Sequence, residues 1–280
     1  MFQRIAKSWE LVKASWNVLL ADKELLIFPV ISAVASIIVM VTFAIPTFLA
    51  GMFDTAVAGQ TGAVSFLVGL LFYIVLYFVT FYFNSALVGA AMIRLEGGDP
   101  TVSDGLRIAN KHLGSILGYA AISATVGMIL RAISERSGLL GRIVVSIIGF
   151  AWNVATFLTV PVLVIEGVGP IDAVKRSANL LKRTWGEQLV GNFSIGTIFG
   201  LISFLVIIGG VAGIIAAAAL QSTPLIIAMV AFMVLALVAV GLVSSALTGI
   251  YTAAVYRYAT AGEISSYFDP DVIKNTFKQK

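Results

Sequence analysis

Long runs without a single ionised side chain dominate this chain, and they leave it few folds to choose from. No Asp, Glu, Lys or Arg occurs in Leu25 to Phe53, Thr55 to Ile93, Leu113 to Leu130, Ile143 to Ile165 or Gln188 to Tyr256. A hydrocarbon core about 30 Å thick is crossed by about 20 apolar residues at 1.5 Å rise. Each of the first four runs is long enough to cross once, and the fifth long enough to cross twice. The turn inside it is placed by Gln221-Ser222-Thr223-Pro224, polar residues ahead of a proline that a helix interior does not tolerate. The expected spans are Leu25 to Met52, Ala63 to Ile93, Leu113 to Leu130, Ile143 to Ile165, Gln188 to Leu220 and Pro224 to Tyr256. Several exceed a straight crossing, which predicts tilt or projection beyond the hydrocarbon. Composition agrees: 11% of the 280 residues are charged, against about 25% in soluble domains.

Charge predicts the orientation. Three of the 18 basic residues, Arg131, Arg136 and Arg142, fall in the loop between the third and fourth spans, where Glu135 is a partner for Arg131 four residues away. If both termini face the cytoplasm, the other fifteen lie on that side, as the positive-inside bias requires. The pI of 9.3 then needs no nucleic-acid partner. Cysteine is absent, so disulfides and thiolate chemistry do not enter. The first 24 residues carry charges of both signs ahead of a very long apolar run, which reads as a retained first helix rather than a signal peptide.

A repeat joins this pattern to the topology. Lys7-Ser8-Trp9-Glu10-Leu11-Val12-Lys13-Ala14-Ser15-Trp16 aligns with Arg176-Ser177-Ala178-Asn179-Leu180-Leu181-Lys182-Arg183-Thr184-Trp185. Phe2, Ile5, Trp9, Val12 and Trp16 share the spacing of Ile171, Val174, Ala178, Leu181 and Trp185, that of one helical face. A weaker copy runs through Val102, Leu106, Ala109 and Leu113. The segments Glu96-Gly97-Gly98-Asp99-Pro100 and Glu166-Gly167-Val168-Gly169-Pro170 each leave an apolar helix and open an amphipathic one, and Ala261-Gly262-Glu263 is a degenerate third exit. The expected fold is all-α and polytopic: six transmembrane helices, arranged as three repeats of an amphipathic interfacial helix followed by a transmembrane hairpin. The 280 residues form one membrane domain, with repeats over 1–97, 98–167 and 168–262 and a cytoplasmic tail over 263–280. Trp9, Trp16 and Trp185 suit interfacial anchoring; the other reading is that the amphipathic helices are cytoplasmic and pack on one another.

Several of these segments carry a resemblance. Lys7-Ser8-Trp9 through Trp16, Asp22-Lys23-Glu24-Leu25, Phe28-Pro29, Ser123-Ala124-Thr125-Val126-Gly127 and Trp185-Gly186-Glu187-Gln188 resemble a large family of uncharacterised prokaryotic membrane proteins over nearly the whole chain. More distantly, the arrangement is similar to the membrane domain fused to some glycerophosphodiester phosphodiesterases. The resemblance implies a helical module in a prokaryotic plasma membrane and no activity.

Candidate site residues follow from the cost of polarity in lipid. Asn84 and Asn153 precede Glu96 and Glu166 by 12 and 13 residues, at similar depths in two repeats. They read as interhelical hydrogen-bonding groups or as part of a polar path. Glu96 and Glu166 mark repeat exits. Gly114 with Gly118 and Gly196 with Gly200 have the spacing that lets helix backbones approach. Gly209-Gly210 with Gly213 is a hinge or a packing face, and Pro46 and Pro161 are expected kinks. His112 is the only histidine and reads as solvated, since one imidazole makes a poor metal site. Lys7, Lys13, Lys111, Arg176, Lys182 and Arg183 are candidates for lipid headgroups. No catalytic set, cofactor or metal is expected. The partners implied are membrane lipid, with a homo-oligomer or a protein partner as further options. The leading functional reading is a non-enzymatic module organising lipid or a partner at the cytoplasmic face. The alternative is a transporter or channel with a polar path between the hairpins, and intramembrane catalysis is the weakest.

Overall fold

The structure, a computed structural model, describes residues 2–50, 62–185, 195–262 and 267, and among these the side chains of all but residues 2–8, 11 and 183–185. Among the described residues there are ten α-helices and no strand. They are α1 (Phe2–Ala21), α2 (Ile27–Leu49) led in by a 3-10 turn (Lys23–Leu26), α3 (Ala63–Leu95), α4 (Val102–Lys111) and α5 (Leu113–Arg136). There follow α6 (Leu139–Ala155), α7 (Thr159–Pro161) running on into a π turn (Val162–Glu166), α8 (Pro170–Trp185), α9 (Ile195–Ala219) and α10 (Thr223–Ala261). Six segments are long and apolar enough to cross a membrane: Lys23–Leu49, Ala63–Leu95, Leu113–Arg136, Leu139–Glu166, Ile195–Ala219 and Thr223–Ala261. Thus α1, α4 and α8 lie at one end, called here the basic end, each ahead of a hairpin.

Span limits shift from expectation at several ends, the sixth span running on to Ala261 beyond Tyr256, and two differences have a clear local cause. The third helix continues to Arg136, because nothing interrupts it before Ser137-Gly138 and Arg131 Nε donates to Glu135 Oε1 at 2.7 Å across one turn. Arg131 and Arg136 are therefore helical and Arg142 lies on α6, with only two residues of loop between. The fourth span is interrupted at 156–158, one turn ahead of Pro161. Proline has no N–H and its ring crowds the carbonyl four residues back, so the helix gives way there. The freed N–H of Leu158 donates to the buried Ser177 Oγ of α8 at 3.0 Å. Gly210 and Gly213 leave α9 unbroken: a Cβ at either would strike the Met233 or Met229 side chain of α10, so these glycines serve packing.

The core lies toward the basic end, where the second helices of the three hairpins meet. It is built from Ala86, Leu87, Ala90 and Ala91 of α3, Leu158, Val162 and Leu163 around α7, and Leu247, Ile250 and Ala253 of α10. Away from it the helices show apolar side chains outward, including Phe48 at 73% exposure and Leu140 at 79%. In water each such side chain forgoes about 1.5–3 kcal/mol, and a folded domain has only about 5–15 kcal/mol in total; in lipid the cost vanishes.

The amphipathic helices are exchanged around the bundle. α4 packs on α3 of the first hairpin, α8 on α5, α6 and α7 of the second, and α1 on α9 and α10 of the third. Each therefore rests on the hairpin that precedes its own, counted cyclically.

Candidate functional site

Small residues seat the amphipathic helices. In α4, Gly105 and Ala109 face the bundle, and a Cβ at Gly105 would come within 2.6 Å of the Ala86 carbonyl oxygen and 2.5 Å of Phe28. In α8 the buried positions are Ala173, Ser177, Leu180 and Leu181, while Ile171 is exposed. In α1, Val12, Ser15, Val18 and Leu19 are buried, whereas Trp9 (57% exposed) and Trp16 (40%) point away. The single apolar face expected in each helix is thus divided. Gly105 stands where backbones approach closely, and the tryptophans of α1 turn outward. Lys13, Lys111 and Lys182 are exposed, without an ion pair among the described residues. The side chains of Lys7, Arg183 and Trp185, and the 263–280 tail apart from Tyr267, lie outside the described residues.

The three exits share a backbone device. Gly97, Gly167 and Gly262 all have positive φ, at 91°, 67° and 67°, a conformation that ends helices and that Cβ-bearing residues rarely adopt. At the first exit Arg94 donates to the carbonyls of Gly98 (3.1 Å) and Ala21 (2.8 Å) and pairs with Asp99 at 3.3 Å, tying α3 to the end of α1. Asp22 caps the 3-10 turn by accepting from Glu24 N–H at 3.2 Å. Burial pushes its carboxyl above the usual range, against the opposing pull of that N–H and of Arg94. Thr101 and Asp104 form a reciprocal capping box at the start of α4, and the Thr101 hydroxyl and N–H hold Asp104 below the usual carboxylate range. At the second exit Glu166 accepts from Arg176 Nε (3.1 and 3.2 Å) and Tyr256 OH (3.1 Å), joining α8 and α10 to the fourth span. Glu96, by contrast, is exposed.

A cavity of about 410 Å³ lies between the first and third hairpins. Its polar lining is Ser32 of α2, Thr80 and Asn84 of α3, Ser203 of α9, and Ser244 and Thr248 of α10, with Ser245 beside them. No charged residue is among the described residues that line it. Thr80, Ser203 and Thr248 donate to carbonyls of their own helices, which leaves their oxygens able to accept, while the Asn84 amide has no hydrogen-bond partner among the described residues. Gly196 and Gly200 line this cavity, and a Cβ at Gly200 would meet nothing within 4 Å. Gly200 therefore opens space rather than packing against a second helix among the described residues.

The other predicted residues are dispersed. Asn153 is exposed on α6, apart from Asn84, so the structure does not bring the two amides into one path. Gly118 closes on Pro170 of α8 (2.9 Å to an added Cβ), whereas Gly114 faces open space. His112 lies between α4 and α5, beside Gly167. Among the described residues no group of three or more His, Cys, Asp or Glu is placed to hold a metal ion. Missed in the sequence were Ser32, Thr80, Ser203, Ser244, Ser245 and Thr248. The pair Ser244-Ser245 inside a long apolar run was the available signal.

Residues 63–266 match the model of a family of unknown function, DUF6159. No curated protein matches the chain.

Proposed function

We propose that this chain, which belongs to the DUF6159 family of unknown function, is a non-enzymatic membrane module that gathers anionic lipid, or an acidic partner protein, at its basic end. In this reading the basic end and both termini face the cytoplasm of a prokaryotic cell, and the chain consists of three repeats of amphipathic helix plus hairpin. The left-handed glycine common to the three exits and the cyclic exchange of α1, α4 and α8 support the repeat. The distant kinship with the membrane domain of glycerophosphodiester phosphodiesterases is part of the proposal and brings no activity with it.

One observation carries the lipid reading. Lys13, Lys111 and Lys182, without an ion pair among the described residues, project from the amphipathic helices, and on α1 the exposed Trp9 and Trp16 accompany Lys13. Basic charge beside outward apolar rings is the pattern of a membrane-surface helix, and each such lysine near an anionic surface contributes about 1 kcal/mol. The test is lipid analysis of protein extracted with its native membrane, wild type against a variant with all three lysines changed to Gln. Enrichment of anionic lipid over bulk is expected for the wild type and its loss in the variant. No enrichment in either defeats the lipid reading.

Transport is the second reading, favoured by the uncharged polar cavity at Asn84. Against a central path stands the packing of α3, α7 and α10 at the basic end. Solute flux in vesicles containing the purified chain, absent from protein-free vesicles, would support it.

A further inference from the structure

We infer that the cavity between the first and third hairpins binds the uncharged, hydroxyl-bearing headgroup of a membrane lipid, a sugar or polyol, with the acyl chains lying along α2 and α9. This rests on the chain spanning a membrane and is independent of the lysine surface. Two seams of the same kind occur in the molecule, and they are filled differently. Where α3 meets α5, aromatic rings close the gap, with Phe81 stacked on Tyr119 at 4.5 Å between centroids. Where α10 meets α2, serines, threonine and glycines stand at the seam and about 410 Å³ remains empty. A volume of this size is within the range of ligand pockets, about 300–1,000 Å³.

Access to the cavity is lateral. Its back wall is formed by α3 and α10, and α1 packs across α9, α10 and the 3-10 turn at the basic end. α2 and α9 stand on either side and make no extended packing with each other among the described residues. Their outward surfaces toward the far end are apolar: Val34, Ile37 and Ile38 on α2, Leu201, Phe204 and Leu205 on α9. The lining residues of α2 fall within its first two turns, about 9 Å of helix. That is a headgroup depth, with room for chains beyond.

The lining chemistry selects the headgroup. The Thr80, Ser203 and Thr248 hydroxyls can accept hydrogen bonds, and the Asn84 amide, without a partner among the described residues, can accept and donate, which suits a polyol. An ionised phosphate would be buried with no cation among the described lining residues, at high cost.

The experiment uses the full chain in nanodiscs of phosphatidylcholine containing equal fractions of monoglucosyl diacylglycerol and phosphatidylglycerol. Lipid retained after re-extraction is quantified by mass spectrometry, with free glucose as competitor. Two variants probe the cavity: Ser244→Ala, which removes a hydroxyl and adds no bulk, and Gly200→Phe, which projects into open space. Thermal unfolding checks that each is folded, and Ser244→Ala decides alone if Gly200→Phe is not. The expected result is selective retention of the glucolipid, lowered about fivefold or more by the variants and unchanged by the triple lysine-to-Gln variant. Preferential or equal retention of phosphatidylglycerol overturns the inference. So does full competition by free glucose, which would mark a solute site, or retention undiminished in the folded cavity variants.

Discussion

Asp22 shows how one buried carboxyl couples the basic end to pH. Its side chain is buried, with one oxygen on Glu24 N–H and the other without a partner, and burial raises its pKa above 3.8. In the window between 3.8 and that raised value the folded chain binds more protons than the unfolded one, so stability falls as pH rises through the window and is level above it. Asp22→Asn keeps an acceptor for Glu24 N–H and removes the charge. The variant is expected to unfold at a higher temperature than wild type at pH 7, with the difference vanishing below about pH 4, where Asp is protonated in both states. A lower unfolding temperature at pH 7 would mean that attraction to Arg94 outweighs burial. Gly105 acts at the same scale by a different means, admitting α3 backbone where any Cβ would collide.

Between elements, the interruption of the fourth span and the seating of α8 are one event. Pro161 was legible in the sequence as a kink; the partner of the freed N–H was not, because Ser177 lies 19 residues further on. Ser177→Ala leaves Leu158 N–H unsatisfied in a buried position, at a cost of about 1–3 kcal/mol. Thermal unfolding in detergent should show a clear fall, and an unchanged midpoint would mean that the bond contributes nothing. The amphipathic helices follow the same logic. Their 3,4 spacing announced helices, but not which arc would meet protein: spacing cannot distinguish a face buried in the bundle from one turned toward lipid, since both are apolar. Hence Val12 is buried while Trp9 and Trp16 are exposed.

Across the whole molecule, the absence of cysteine makes topology directly testable. Lys111→Cys at the basic end and Ser137→Cys between α5 and α6 should react with a membrane-impermeant maleimide from opposite sides of sealed vesicles. Labelling of both from one side would refute a six-span chain. The six spans, the basic end and the glycine exits could be read from the sequence, because the transfer of a segment into lipid, and a left-handed turn, depend on that segment's own residues. Which hairpin each amphipathic helix would rest on, that Asn84 would line a cavity whose described lining does not include Asn153, and that Gly196 and Gly200 would line it too were decided only by the tertiary structure. Those outcomes depend on how surfaces distant in the chain fit together, and neither hydropathy nor local spacing encodes that shape.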